Sequence, residues 1–106
     1  MKDDVITLYK GVRTQDEYGR WIEGEPQRRE VYARVLSISR REFFEAGRNG
    51  LNPEFRFDVF QGDYQGETIV EYNGATYSIY RTYESGDYME LYAERKGGTD
   101  GKRNTT

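Results

Sequence analysis

The chain has 106 residues, 35% hydrophobic, 33% charged and 15% aromatic, with 12 Gly, 2 Pro, no Cys and no His. That length fits one domain, and a domain this small removes only ~65% of its unfolded-chain surface from water. Without Cys or His there is no disulfide framework, no Cys/His zinc site, no thiol nucleophile and no imidazole base.

Sixteen basic residues against 19 acidic ones give a net charge of −3. That is not the field of a protein that clamps nucleic acid electrostatically. The distribution says more than the sum. Residues 28–56 hold seven Arg against four Glu, whereas residues 57–94 hold one Arg against eight acids. Such a chain can form a ring or stack in which a basic face meets an acidic neighbour. Equally, a densely charged surface keeps a small domain soluble. No apolar run approaches the ~20 residues that span a bilayer, and the opening residues lack a signal-peptide pattern. The expectation is a protein made in the cytosol with no membrane contact.

Period-two alternation in short β-branched and aromatic runs dominates the chain. Val5–Tyr9 is the first expected strand. Residues 10–27, with Gly11, Gly19, Gly24 and Pro26, read as a long loop or loose hairpin around Trp21 and Ile22. Arg29–Ile38 is the second strand, with Val31, Ala33 and Val35 on one face and Tyr32, Arg34 and Leu36 on the other. Ser39-Arg40-Arg41-Glu42 then has the form of a capping box, and predicts one short helix stopped by Gly47, Gly50 and Pro53. An isolated helix this short is marginal without packing, so its persistence depends on what Phe43 and Phe44 touch.

Phe55, Phe57 and Val59 alternate with Arg56 and Asp58 in a half-buried third strand. Thr68, Val70 and Tyr72 lead into Asn73-Gly74, a type I′ hairpin signal. Tyr77, Ile79, Arg81 and Tyr83 follow in alternation, then a Ser85-Gly86-Asp87 turn and a last strand through Met89, Leu91 and Ala93. Residues 1–95 are expected to form one domain, an all-β barrel of about six antiparallel strands with a helical insertion at about 39–50. Residues 96–106 are expected to be a disordered tail.

The side chains that carry chemistry have plainer readings. Most of the ten Tyr fall at alternating strand positions, where cross-strand aromatic pairs stabilise a sheet. Asp58, Asp63, Glu67, Glu71, Glu84, Asp87, Glu90 and Glu94 invite a glycosidase or metal hypothesis. They fall on polar strand positions or in turns, as a solvated face requires, and 63–67 lacks the spacing of a calcium loop. Gly47-x-x-Gly50 has no Lys-Ser/Thr partner, so a helix stop explains it better than a phosphate loop. No catalytic residue, metal or cofactor is expected. Arg40, Arg41 and Arg48 are different: they decorate a solvated turn, meet phosphate, or meet an acidic neighbouring subunit.

The run from Val35 to Phe57, with its Ser-ended strand, Glu-Phe turn, Ala and Gly before Pro53, resembles the head–tail joining (head-completion, stopper) proteins of tailed bacteriophages. The run from Asp63 to Arg81, with Tyr-x-Gly-Glu and Tyr-x-Ile-Tyr-Arg, resembles that family's second block, and Leu91-Tyr92 completes it. The resemblance implies a small β-barrel that assembles as a ring, commonly twelve-fold, between a portal or adaptor and a tail-completion or tail protein. It implies a structural role in the virion: retention of packaged double-stranded DNA and docking of the tail. By position it makes 39–54 a channel-facing, gating insertion, carried by Arg40, Arg41, Phe43, Phe44 and Arg48. Trp21, Tyr64 and Arg81 are candidate contacts with neighbouring subunits or the adaptor. The rival reading is a monomeric β-barrel module that binds a peptide or oligonucleotide.

Overall fold

A computed structural model describes residues 2–11, 13–24 and 27–95. The expected tail at 96–106 lies outside the described residues. Among the described residues eight strands form, β1 (Lys2–Lys10), β2 (Arg13–Gln15), β3 (Trp21–Glu23), β4 (Gln27–Ser37), β5 (Pro53–Phe60), β6 (Ile69–Tyr72), β7 (Ala75–Ser85) and β8 (Tyr88–Arg95). One α-helix, α1 (Arg40–Gly47), and a 3₁₀ turn at Gln61–Asp63 interrupt them. Six strands close a barrel in the order β1-β4-β5-β8-β7-β6, and every pairing is antiparallel. The expected all-β barrel with a single short helix is what the chain builds.

Alternation drives the closure. Ile6 and Leu8 from β1, Val31, Ala33 and Val35 from β4, and Phe57 and Val59 from β5 all point inward and are buried. Val70, Tyr77, Leu91 and Ala93 complete the core, with the Phe55, Phe57, Tyr72 and Tyr77 rings packed edge to face at 5.6–6.0 Å. The closing seam is short. Thr7–Tyr9 of β1 pairs with Ile69–Glu71 of β6, and the Tyr9 hydroxyl donates to Glu71 Oε1 at 2.8 Å across it. Asn73 (φ 52) and Gly74 (φ 81) make the predicted β6–β7 turn, the one place where a non-glycine residue is left-handed among the described residues.

Two features depart from the sequence expectation and one sharpens it. Within the stretch read as a long loop or loose hairpin, β2 and β3 pair as a small hairpin whose turn is organised by Asp16. Its Oδ1 accepts from the Tyr18 and Arg20 amides and its Oδ2 from Arg20 Nε, each at 2.9–3.0 Å. These bonds, those from Arg20 first, hold its carboxyl below the usual carboxylate range.

Second, β7 carries a bulge: Ile79 faces Ala93 but Arg81 faces Tyr92, leaving Tyr80 as an extra residue. The expected single face of Tyr77, Ile79, Arg81 and Tyr83 is therefore broken. Tyr77 and Ile79 pack in the core, while Arg81 and Tyr83 lie outside.

Third, two of the acids assigned to a solvated face are buried, Asp58 at 6% and Glu67 at 2% exposure. Each is paired. Arg56 binds Asp58 with two bonds, at 2.9 and 2.8 Å. Arg29 binds Glu67 Oε2 at 2.9–3.0 Å and also donates to the Asp63 carbonyl. Glu67 Oε1 accepts from the Gln65 amide at 2.7 Å. Burial pushes the Glu67 carboxyl up, but the Gln65 and Glu67 amides and the Arg29 guanidinium together hold it below its ordinary value. This pair staples the 61–68 loop to β4.

Candidate assembly surface

The helix sits where β4 ends and β5 begins, at one end of the barrel. Ser39 caps it as the capping box predicts, its Oγ accepting from the Glu42 amide at 3.1 Å. At the other end Gly50 (φ 78) turns the chain so that the Leu51 amide reaches the Ala46 carbonyl at 3.1 Å. The second half of the box does something else. The Glu42 carboxylate reaches across to β7, accepting from the Tyr80 hydroxyl at 2.7 Å and from Arg81 at 2.5 Å. Arg81 in turn lies over the Tyr92 ring, 4.0 Å from its centroid, and Tyr92 donates to Glu90 at 2.5 Å. Desolvation, then the bond to Glu42, raises the Tyr80 pKa far above an ordinary phenol, so the hydroxyl remains a donor at any physiological pH.

Glu42 and the buried Ala46 thus dock α1, where the sequence pointed to Phe43 and Phe44. Those two rings touch each other edge to face at 6.0 Å and remain 47% and 64% exposed. Arg40 and Arg48 are exposed and have no acidic partner among the described residues, while Arg41 is exposed and lies 3.9 Å from Glu45. All five residues expected in the insertion, Arg40, Arg41, Phe43, Phe44 and Arg48, are exposed on or next to α1. An open groove of about 620 Å³ separates that helix from β7 and β8, floored by Tyr80, Arg81 and Tyr92.

The other expected contacts are dispersed. Trp21 is exposed on the β2–β3 hairpin. Tyr64 faces inward, its hydroxyl donating to the Glu67 carbonyl at 2.7 Å and its ring packed against the core. Arg81 is engaged by Glu42 within the chain. Sequence reasoning missed Glu42 and Tyr80 as anchors, and it missed a second patch far from α1. There Tyr32, Phe60 and Tyr88 stand on the outer wall beside Arg34. A visible signal existed for this patch: Phe60 continues the polar-face phase of Arg56 and Asp58, and Tyr32 lies between Glu30 and Arg34.

Removing the Glu42 charge should loosen the helix without harming the barrel. Glu42→Gln keeps the shape, and Arg81 is partly exposed to water, so the expected loss is no more than about 1 kcal/mol. Hydrogen exchange at amides 43–47 should quicken while β5 and β8 stay protected. Equal exchange in both proteins would show that Glu42 does not anchor α1.

Among the described residues no cluster of three or more acids forms a metal cage, and no helix is long and apolar enough to cross a membrane. The buried acids are bound to arginines, and exposed aromatic residues cluster on α1 and on the outer wall of the barrel. These are surfaces through which a small barrel can meet other proteins. A family model for phage head completion proteins matches residues 3–96, and the chain belongs to that family. No curated protein matches the sequence. Membership supports a structural role at the phage head–tail junction and a place in the virion.

Proposed function

We propose that the protein is a head–tail connector of a tailed phage or prophage, of the stopper kind. Copies assemble as a ring beneath the portal or its adaptor, retain packaged DNA and present the docking surface for the tail. The observation that carries this reading is the family match over nearly the whole barrel, α1 included. In a ring, every copy of residues 39–53 meets the axis or the seams at the same height, so a weak contact is multiplied by symmetry. The insertion then acts as a held projection whose outward side chains, Arg40, Arg41, Phe43, Phe44 and Arg48, control the channel.

Confining the clustered arginines to one short segment of a net-negative chain leaves the rest of the barrel without a field that would grip DNA as it passes. The test is a phage deleted for this gene and complemented in trans. Without the protein, heads should package DNA, lose it and carry no tails. With it, full and tailed particles should return. Heads that keep their DNA and acquire tails in its absence would refute the assignment. The module reading predicts instead a monomer that binds single-stranded oligonucleotide or peptide tightly and is absent from particles.

A further inference from the structure

The two exposed patches match each other. On α1, the Phe43–Phe44 pair is flanked by Arg40, Arg41 and Arg48. On the outer wall, Val5 and Tyr32 are direct cross-strand neighbours, as are Phe60 and Tyr88, and the Arg34 guanidinium joins the pairs by lying 5.4 Å over the Tyr88 ring. All four apolar residues are exposed, Tyr32 at 78%. Tyr32, Phe60 and Tyr88 line a depression of about 260 Å³ into which Asp3, Asp58 and Asp63 also face, with Glu30 and Asp87 exposed nearby. Arg34 lies 4.0 Å from Asp3, and Asp58 is bound by Arg56, which leaves the Asp63, Glu30 and Asp87 carboxylates without a cationic partner among the described residues. One surface is an aromatic centre with an Arg rim; the other is an aromatic centre with an acid rim. This is the composition that protein interfaces favour, with complementary potential.

We infer that α1 of one copy seats on the Tyr32–Tyr88 wall of the next copy. The inference rests on the connector reading for its biological setting, and it names the contact that would join neighbours. Tyr32 is five residues back along β4 from Ser37, and Phe60 is at the end of β5 opposite Pro53. At about 3.3 Å per residue the wall is on the order of 20 Å from α1 within one chain, so the contact must form between chains.

The two surfaces differ and sit at different ends, so the contact is heterologous, which closes into a ring when the rotation permits. Adjacent exposed phenylalanines favour a protein partner over phosphate, because phosphate offers no apolar surface. The β2–β3 hairpin is the weaker occupant: residues 13–24 hold two Arg against three acids, the wrong sign for an acidic wall.

The native absence of cysteine makes the test clean. Gly47→Cys is tolerated on α1, since a Cβ there meets nothing within 4 Å, and Ser85→Cys sits on the wall side, paired with Tyr88. The two full-length variants are mixed at high concentration and treated with a short bis-maleimide. The mixed 47–85 product should exceed either homodimer several-fold and decline with salt as the rims are screened. A chain carrying both cysteines should give a ladder of multimers.

A second arm removes dependence on the linker. Arg40→Glu/Arg48→Glu and Asp63→Lys/Asp87→Lys should each lose self-association by sedimentation, whereas their equimolar mixture, with complementary contacts in both directions, should regain it. Dominant homodimers, no crosslink, or no recovery in the mixture would overturn the inference. So would duplex DNA that abolishes the mixed product at constant ionic strength, which would place phosphate on α1. These outcomes are separate from the fate of the connector reading. Heads that hold DNA without the protein would end that reading and leave the crosslink standing.

Discussion

Arg29→Met should destabilise the protein by about 3 kcal/mol at neutral pH, the low end of the loss when one partner of a buried ion pair is removed. Glu67 is 2% exposed, and Arg29 supplies its charged partner and also holds the Asp63 carbonyl. The low end applies because the Gln65 amide bond to Glu67 survives and Arg29 itself is about one-third exposed. The pH dependence is the sharper signature.

In the native protein the Glu67 pKa is depressed, so its contribution is complete above the ordinary carboxylate value of ~4.3 and is lost as pH falls through the lower folded value. Without Arg29 the guanidinium no longer offsets burial, so the folded pKa moves up from its native value. The mutant then loses less than the native protein as the carboxyl takes its proton, and the deficit of Arg29→Met should shrink as pH falls from 7 to 4 and below. Urea midpoints across that range measure it, and a constant deficit would mean that the pair is not what holds the 61–68 loop. Changing both partners together, Arg29→Met with Glu67→Gln, should recover part of the loss, since no unpaired charge then remains buried.

The strands were legible because their side chains alternate and the turns between them are chemically explicit. Asn73-Gly74 supplies two left-handed residues in a row, and the structure uses both. Ser39 was legible as a cap for the same local reason. The anchoring of α1 was not. Glu42 satisfies a local motif, and nothing near it in the chain reveals that its carboxylate binds residues 38 and 39 positions away.

The bulge at Tyr80 hid the partners as well. By shifting the phase of β7 it brings Tyr80 and Arg81 to the same outer surface, whereas unbroken alternation would put them on opposite faces. Charge counting failed at Asp58 and Glu67 for a related reason. A carboxylate on a polar strand position is indistinguishable in sequence from a buried one until the arginine that pairs with it is known. The five insertion residues can be grouped from sequence because they are consecutive or nearly so. The wall patch was overlooked because its residues come from β1, β4, β5 and β8, which only the barrel brings together.

Replacing residues 40–50 with a Gly/Ser linker should separate the fold from its function. The linker removes the Glu42 bonds to Tyr80 and Arg81, together about 1–2 kcal/mol, and the burial of Ala46, roughly another 1 kcal/mol. Loop closure changes little when a surface connection is replaced by a shorter one. No member of the central core cluster is lost, because Ile6, Leu8, Phe57, Val59, Val70 and Leu91 all belong to the strands. The linker protein should therefore unfold cooperatively with an unchanged far-ultraviolet β signature and a thermal midpoint lowered by roughly 10–20 °C.

The functional loss should be far larger, since Phe43, Phe44, Arg40, Arg41 and Arg48 all leave together. In the complemented phage, heads should package DNA and release it, at a level close to the gene deletion. A subtler variant, Phe43→Ser with Phe44→Ser, keeps Glu42 and Ala46 and should retain native stability within about 0.5 kcal/mol, because exposed substitutions away from buried contacts are nearly neutral. That variant should leak as well. Stable protein with full, infective heads from both variants would move the working surface away from α1. A linker protein that fails to fold would make the helix part of the core, and the double serine variant would then carry the decision alone.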